Sequence, residues 1–406
     1  MTASPTQIST SATAVPAQPT ALLGDVQSTA LLDDVQSTAL LDDEGLAFAG
    51  GAVECAPSAT GLNGTGSSDA GRRPSDYSKL SHMIKDAGLL ERRKFYYWAR
   101  IAVNVVLLAG AGVGFYLVNH TWWVLVLAVY CAIVSTQLAF TGHEAGHRQM
   151  FRSRRANELA GYLHGNLMIG LSYDWWVDKH NRHHRNPNQS ELDPDVGTGA
   201  FVFSHDDMAK RGRVGRYMAQ YQAFFFFPLL TLESLNLQVA SIRAVAKTGA
   251  RNRGIEAMLL FLHVTGYITL LLLTMSPLQA LAFLGVHQAL FGIYLGCSFA
   301  PNHKGMRMLT PDEELDFLRR QVLTSRNVTG GVPVGMLLGG LNWQIEHHLF
   351  PSMPRPNLRR AVPIVREFCE DHGLPYAEAN LYRSYRLAMG HLHEVGTSAG
   401  PQPHTV

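Results

Sequence analysis

Seven histidines fall in three short clusters: His143-x-x-x-His147, His180-x-x-His183-His184 and Gln344-x-x-His347-His348. Residues three and four apart share one face of an α-helix, so each cluster is expected to present its imidazoles in one direction. Imidazole suits iron, copper, nickel and zinc. Seven such ligands exceed the needs of one mononuclear site, whose catalytic form takes three protein ligands, and they suit a pair of metal ions. No thiolate accompanies them, and an all-nitrogen dinuclear site fits iron best where the chemistry must activate oxygen. Each cluster adjoins a long apolar run, which makes a lipid the expected substrate.

The first cluster, His143-Glu144-Ala145-Gly146-His147, also matches the H-E-x-x-H pattern of zinc proteases. The other two clusters argue against that reading. Glu144 and Glu346 lie within clusters at other helical angles and are expected to hydrogen-bond imidazole N–H groups. His303, in Pro301-Asn302-His303-Lys304-Gly305, closes a long apolar run and is expected as an eighth ligand, with Asn302 in a water-mediated contact. Gln344 carries a neutral amide, a poor ligand beside imidazole, suited instead to a water or a substrate carbonyl. His164 is expected to be structural, and His263 and His287 to be neutral with local partners. No catalytic side chain beyond the metal ligands is indicated.

Four segments could hold these clusters in a bilayer. A spanning helix needs about 20 mostly apolar residues, and the runs at residues 101–118, 122–140, 255–275 and 278–300 qualify. Asn119-His120-Thr121 joins the first pair and Ser276-Pro277 breaks the second. The hairpin tips carry no Lys or Arg. Arg92, Arg93, Lys94, Arg100, Arg148, Arg152, Arg154 and Arg155 flank the first hairpin, and Arg243, Lys247, Arg251, Arg253, Lys304 and Arg307 the second. The positive-inside rule then places both termini and all clusters on the cytoplasmic side. A further apolar stretch, residues 217–239 with Phe224 to Phe227, contains Gln220, Gln222, Glu233, Asn236 and Gln238. It is read as a helix in the membrane interface, because a fifth span would part the third cluster from the other two. The fold expected is all-α and integral to the membrane: four transmembrane helices in two hairpins, with a cytoplasmic helical cap holding a histidine-rich dimetal site.

The chain has 406 residues and a formal net charge of +2, which gives no electrostatic case for nucleic acid. Its four cysteines form no C-x-x-C pair, so neither a disulfide framework nor a cysteine-bound cluster is expected. Residues 1–75 are rich in Ala, Ser, Thr and Gly, with no basic and apolar leader pattern. They contain a nine-residue repeat starting at Ala21, Ala30 and Ala39. Nine residues are too few for a solenoid unit, and this composition suits a disordered tail. Residues 76–394 form the expected membrane domain, and 395–406 a second disordered tail.

The pattern H-x-x-x-H, H-x-x-H-H and Q-x-x-H-H, together with the phrase Asn342-Trp-Gln-Ile-Glu-His-His-Leu-Phe-Pro351, resembles the integral-membrane fatty acid desaturases over residues 94–354. Gln344 resembles the third box of the front-end and related bacterial branch. The resemblance implies two iron ions bound by His143, His147, His180, His183, His184, His347 and His348, with a further ligand near His303. It implies O2 as co-substrate and a long-chain acyl-CoA or membrane lipid as substrate. The H-P-G-G motif of a fused cytochrome b5 is missing, so a separate donor is implied: a ferredoxin or flavin reductase, or a cytochrome b5-type protein. The alternatives are an acyl or lipid hydroxylase on the same di-iron site and a non-catalytic zinc-binding membrane protein. Arg152, Arg154 and Arg155 are candidates to meet a substrate phosphate.

Overall fold

The computed structural model describes residues 75–398 except 198 and 248–250. The nine-residue repeat and most of both expected tails lie outside the described residues. In chain order the elements are α1 (Asp76–Asp86), α2 (Lys94–Val118), α3 (Val124–Gly146), α4 (Arg154–Gly161) with a π-helical turn at Tyr162–Leu167, α5 (Tyr173–Arg185), α6 (His205–Ala209), α7 (Arg213–Gln220), α8 (Gln222–Leu230), α9 (Glu233–Ala246), α10 (Arg253–Thr274), α11 (Pro277–His303), α12 (Phe317–Thr324), β1 (Asn327–Thr329), α13 (Gly331–Leu337), α14 (Gln344–Leu349), α15 (Arg355–Asp371), β2 (Glu378–Asn380) and α16 (Leu381–Thr397). The two short strands pair in parallel, Asn327 with Glu378 through Thr329 with Asn380.

Four helices, α2, α3, α10 and α11, are long and apolar enough to cross a membrane, at 25, 23, 22 and 27 residues. At 1.5 Å per residue each covers the ~30 Å hydrocarbon thickness or more. Val106, Tyr116, Leu117, Phe261 and Leu273 stand exposed on their outer faces, as lipid-facing side chains do. Between the helices, Phe115, Val124, Leu127, Leu271 and Phe283 form one apolar cluster, and Leu138, Ile169, Phe291 and Leu295 another. Local chemistry sets the helix ends. Ser276 and Gln279 form a reciprocal cap, and Pro277 occupies the first turn of α11, where its missing N–H costs nothing. At the tip of the first hairpin, His120 N–H donates to Thr274 O at 2.9 Å, which ties the tip to the end of α10.

Two spans run further than hydropathy alone suggests. Helix α3 continues through Thr141, Gly142 and His143 to Gly146, so the first cluster occupies the final turn of a span instead of following it. Helix α11 likewise ends on His303. Hydropathy falls where the residues turn polar, but the backbone hydrogen bonds continue.

The segment carrying Phe224 to Phe227 is not a single helix. It breaks between α8 and α9 with a bend of 69°. Both of its ends reach the same polar cap. Gln222, at the start of α8, donates to Val202 O and Leu392 O, and Arg251, beyond α9, pairs with Glu158. The chain therefore enters and returns on one side. Gly292 of α11 makes the close approach possible, since a Cβ there would stand 2.4 Å from Leu230 O. Ser234 of α9 then donates to Gln288 O at 2.8 Å.

Candidate metal centre

Every clustered histidine reaches one buried region. His143 and His147 come from the end of α3, His180, His183 and His184 from α5, His303 from the last position of α11, and His347 and His348 from α14. Ser172 caps α5 by accepting from Trp175 N–H. The i, i+3 and i+4 spacing does the rest. The ligand nitrogens of His143, His147, His180 and His347 lie within 4.8 Å of one another, and so do those of His183, His303 and His348. His184 stands between the two groups: its Nε2 is 3.1 Å from His180 Nε2, and its ring stacks on that of His348 at 4.2 Å.

Nitrogen-to-nitrogen distances are 3.1 Å for His143 and His180, 3.3 Å for His183 and His303, and 3.0 Å for His303 and His348. An ion about 2.0–2.1 Å from each of its nitrogens holds them at roughly this spacing. The rings also fit a metal by what they lack. His147 Nε2, His347 Nε2 and His184 Nδ1 are buried without a hydrogen-bond partner, an arrangement that is costly unless something else satisfies them. Burial, reinforced by neighbouring rings, holds the imidazoles of His147, His180, His184, His347 and His348 well below the usual histidine range. They are neutral, as metal ligands must be.

The second group is anchored from behind. His183 Nδ1 donates to both oxygens of Asp193 at 3.0 Å, with Asp195 at 3.5 Å. His303 Nδ1 donates to Thr324 O at 3.0 Å, and His348 Nδ1 to Gln321 Oε1 at 2.9 Å. Each bond fixes the proton on Nδ1 and leaves the Nε2 lone pair to the centre. Burial opposes charge on His183, but the Asp193 carboxylate outweighs it and raises the pKa of the ring, which makes it a more basic ligand. Burial likewise opposes charge on Asp193, and His183 overcomes that to hold the carboxyl low.

Gln344 Nε2 lies 2.8 Å from His303 Nε2, and Asn302 Nδ2 donates to Gln344 Oε1 at 3.2 Å. Asn302 thus meets the centre through Gln344. Glu144 and Glu346, expected to accept from imidazoles, have other partners. Glu144 pairs with Arg355 at 3.2 Å, and Arg355 also donates to Gly335 O. Glu346 accepts from Tyr376 O–H at 2.6 Å and Asn327 at 2.9 Å, and burial pushes its carboxyl up to about 7. These pairs brace the helices that carry the ligands. His164 donates to Ala160 O and stays outside the groups, while His287 meets Ser135 and Tyr267. Both have the local partners expected of structural histidines.

The sequence reading missed the anchoring roles of Asp193, Gln321 and Thr324. Asp193 left a trace in Leu192-Asp-Pro-Asp195, ten residues past His183. Gln321 and the Thr324 carbonyl left none.

A cavity of about 230 Å³ opens beside both groups. His180, His183, His303 and Gln344 form one wall, and Phe226, Leu230, Leu237, Leu295 and Phe299 supply apolar surface. Lys179, Lys304, Asp195 and Glu233 also line it. Arg152, Arg154 and Arg155 are not part of its lining, and Arg154 pairs with Glu158.

Residues 120–380 match the family model described as "Fatty acid desaturase". The chain is similar to the acyl-lipid (9-3)-desaturase of Physcomitrium patens, 29% identical over 336 residues, covering 80% of this chain and 64% of the relative. It is similar to a Delta(6)-fatty-acid desaturase of Caenorhabditis elegans, 29% identical over 331 residues, covering 78% and 74%. A Delta(5) fatty acid desaturase of the same organism is 28% identical over 335 residues, covering 80% and 74%. The chain thus spans somewhat less than two thirds of the first of these relatives and about three quarters of the others.

Proposed function

The chain belongs to the fatty acid desaturase family of membrane oxidoreductases, and on that premise we propose that it desaturates a long-chain acyl group at a di-iron centre. The ligands in this reading are His143, His147, His180, His183, His184, His303, His347 and His348. O2 is the co-substrate, and a separate redox protein delivers electrons. The metal-bearing cap faces the cytoplasm, as the flanking Arg and Lys residues favour. The observation that carries the reading is a pair of adjoining all-imidazole groups beside a largely apolar cavity that His180, His183 and His303 line.

Iron bound there supplies oxidising power toward an unactivated C–H bond that no side chain has. The protein supplies geometry. Phe226, Leu230, Leu237, Leu295 and Phe299 exclude water and hold methylenes, each contributing about 0.8 kcal/mol on burial. Asp193, Thr324 and Gln321 hold protons on the Nδ1 atoms of His183, His303 and His348, which keeps those rings oriented. Gln344 stands beside the three-imidazole group, placed for a water or an acyl oxygen.

The test is expression in a host lacking the product, with a competent reductase, followed by mass spectrometry that localises double bonds. A new double bond in a long acyl chain is the expected outcome. A hydroxylated chain would reassign the chemistry, and bound zinc with no oxygen consumption would make the protein a non-catalytic metal binder.

A further inference from the structure

The two lysines at the cavity each stand next to a clustered histidine in sequence. Lys179 precedes His180, and Lys304 follows His303. All four residues line the same cavity, together with Asp195 and Glu233. The two ammonium groups are differently committed. Lys179 is bound directly to the Asp195 carboxylate. Lys304 donates to the Asp195 backbone carbonyl at 3.1 Å and sits 3.8 Å over the Phe203 ring. An ammonium group has three N–H donors, so Lys304 retains donor capacity toward the cavity.

The charges decide what it can receive. Two cations and two carboxylates line the cavity, and Asp193 behind them is engaged by His183. A local balance of this kind gives an anionic head no net attraction. A neutral acceptor, by contrast, takes a hydrogen bond from Lys304 without adding charge.

We infer that Lys304 Nζ is the donor that binds the acyl carbonyl, ester or thioester, and so fixes the head of the chain beside the metals. The apolar lining at Leu230, Leu237 and Leu295 then takes the methyl end. Lys304 directly follows His303 at the C-terminal end of α11, where the backbone turns extended, and both residues line the cavity. This inference rests on the desaturase reading.

The experiment uses the full chain in nanodiscs with a reductase system, offering the same labelled acyl group as a CoA thioester, as a phospholipid ester or as the free acid. Wild type is expected to desaturate one of the two neutral-carbonyl forms and to use the free acid poorly; which form reacts identifies the natural carrier. Lys304→Met should lower kcat/KM roughly ten- to hundredfold, the size of a lost charge-assisted hydrogen bond, and scatter the double-bond position. Lys304→Gln, which keeps an N–H donor, should restore the position. Glu233→Gln removes one carboxylate from the lining and should raise use of the free acid. Loss of metal from Lys304→Met would leave the Gln and Glu233 variants to decide the matter. An unchanged product position and kcat/KM in Lys304→Met, or no gain for the free acid in Glu233→Gln, would overturn the inference. A wild type that desaturates nothing would instead remove the underlying function.

Discussion

The two halves of the metal centre are built differently. In the group of His143, His147, His180 and His347, two rings carry a buried nitrogen with no protein partner. In the group of His183, His303 and His348, each ring is held at Nδ1 by Asp193, the Thr324 carbonyl or Gln321. The first group has four imidazoles, with His184 beside it. The second has three, with Gln344 against His303 and the cavity at its side. Helix spacing pairs His143 with His147, and packing of α5 and α14 against the end of α3 adds His180 and His347. The second also takes Nδ1 partners from distant segments, and two of its rings, with His180 of the first group, line the cavity.

Breaking the first group should do the most damage. His147→Ala is expected to abolish desaturation and lower the metal content below two per chain, read by elemental analysis of purified protein. Full metal loading would remove His147 from the ligand set. Asp193→Asn keeps the shape but weakens the acceptor on His183 Nδ1. It should cost about 10- to 100-fold in metal affinity or activity, measured by chelator competition, with the loss confined to one of two ions. Equal loss of both ions would erase the distinction between the halves. Gln344→Ala should keep both metals and reduce kcat by about tenfold, the low end for a residue beside a metal ligand. Loss of one metal would make Gln344 a ligand in its own right.

The same contrast governs how much was legible in the sequence. Four spans, the Ser276-Pro277 break and the clusters themselves follow from local patterns of hydropathy and spacing. His303 was legible because it closes an apolar run. Contacts across the chain were not. Glu256, a buried carboxylate in the first turn of α10, accepts from Asn166 and Ser172, 90 and 84 residues away. Gln321 links His348 Nδ1 to the His184 carbonyl, a role invisible until α12 and α14 pack together. The break between α8 and α9 was also hidden. It arises where α9 folds back against Gly292, while the local sequence reads as one interfacial helix. Glu144 and Glu346 show the converse. Their place inside the clusters suggested imidazole partners, and tertiary packing gave them Arg355, Asn327 and Tyr376.

The most direct test of the central claim is Mössbauer spectroscopy of the purified chain loaded with ⁵⁷Fe. Two unlike adjoining sites predict two irons per chain and two quadrupole doublets of equal area. A single doublet with one iron per chain would contradict a dinuclear centre made of two different halves.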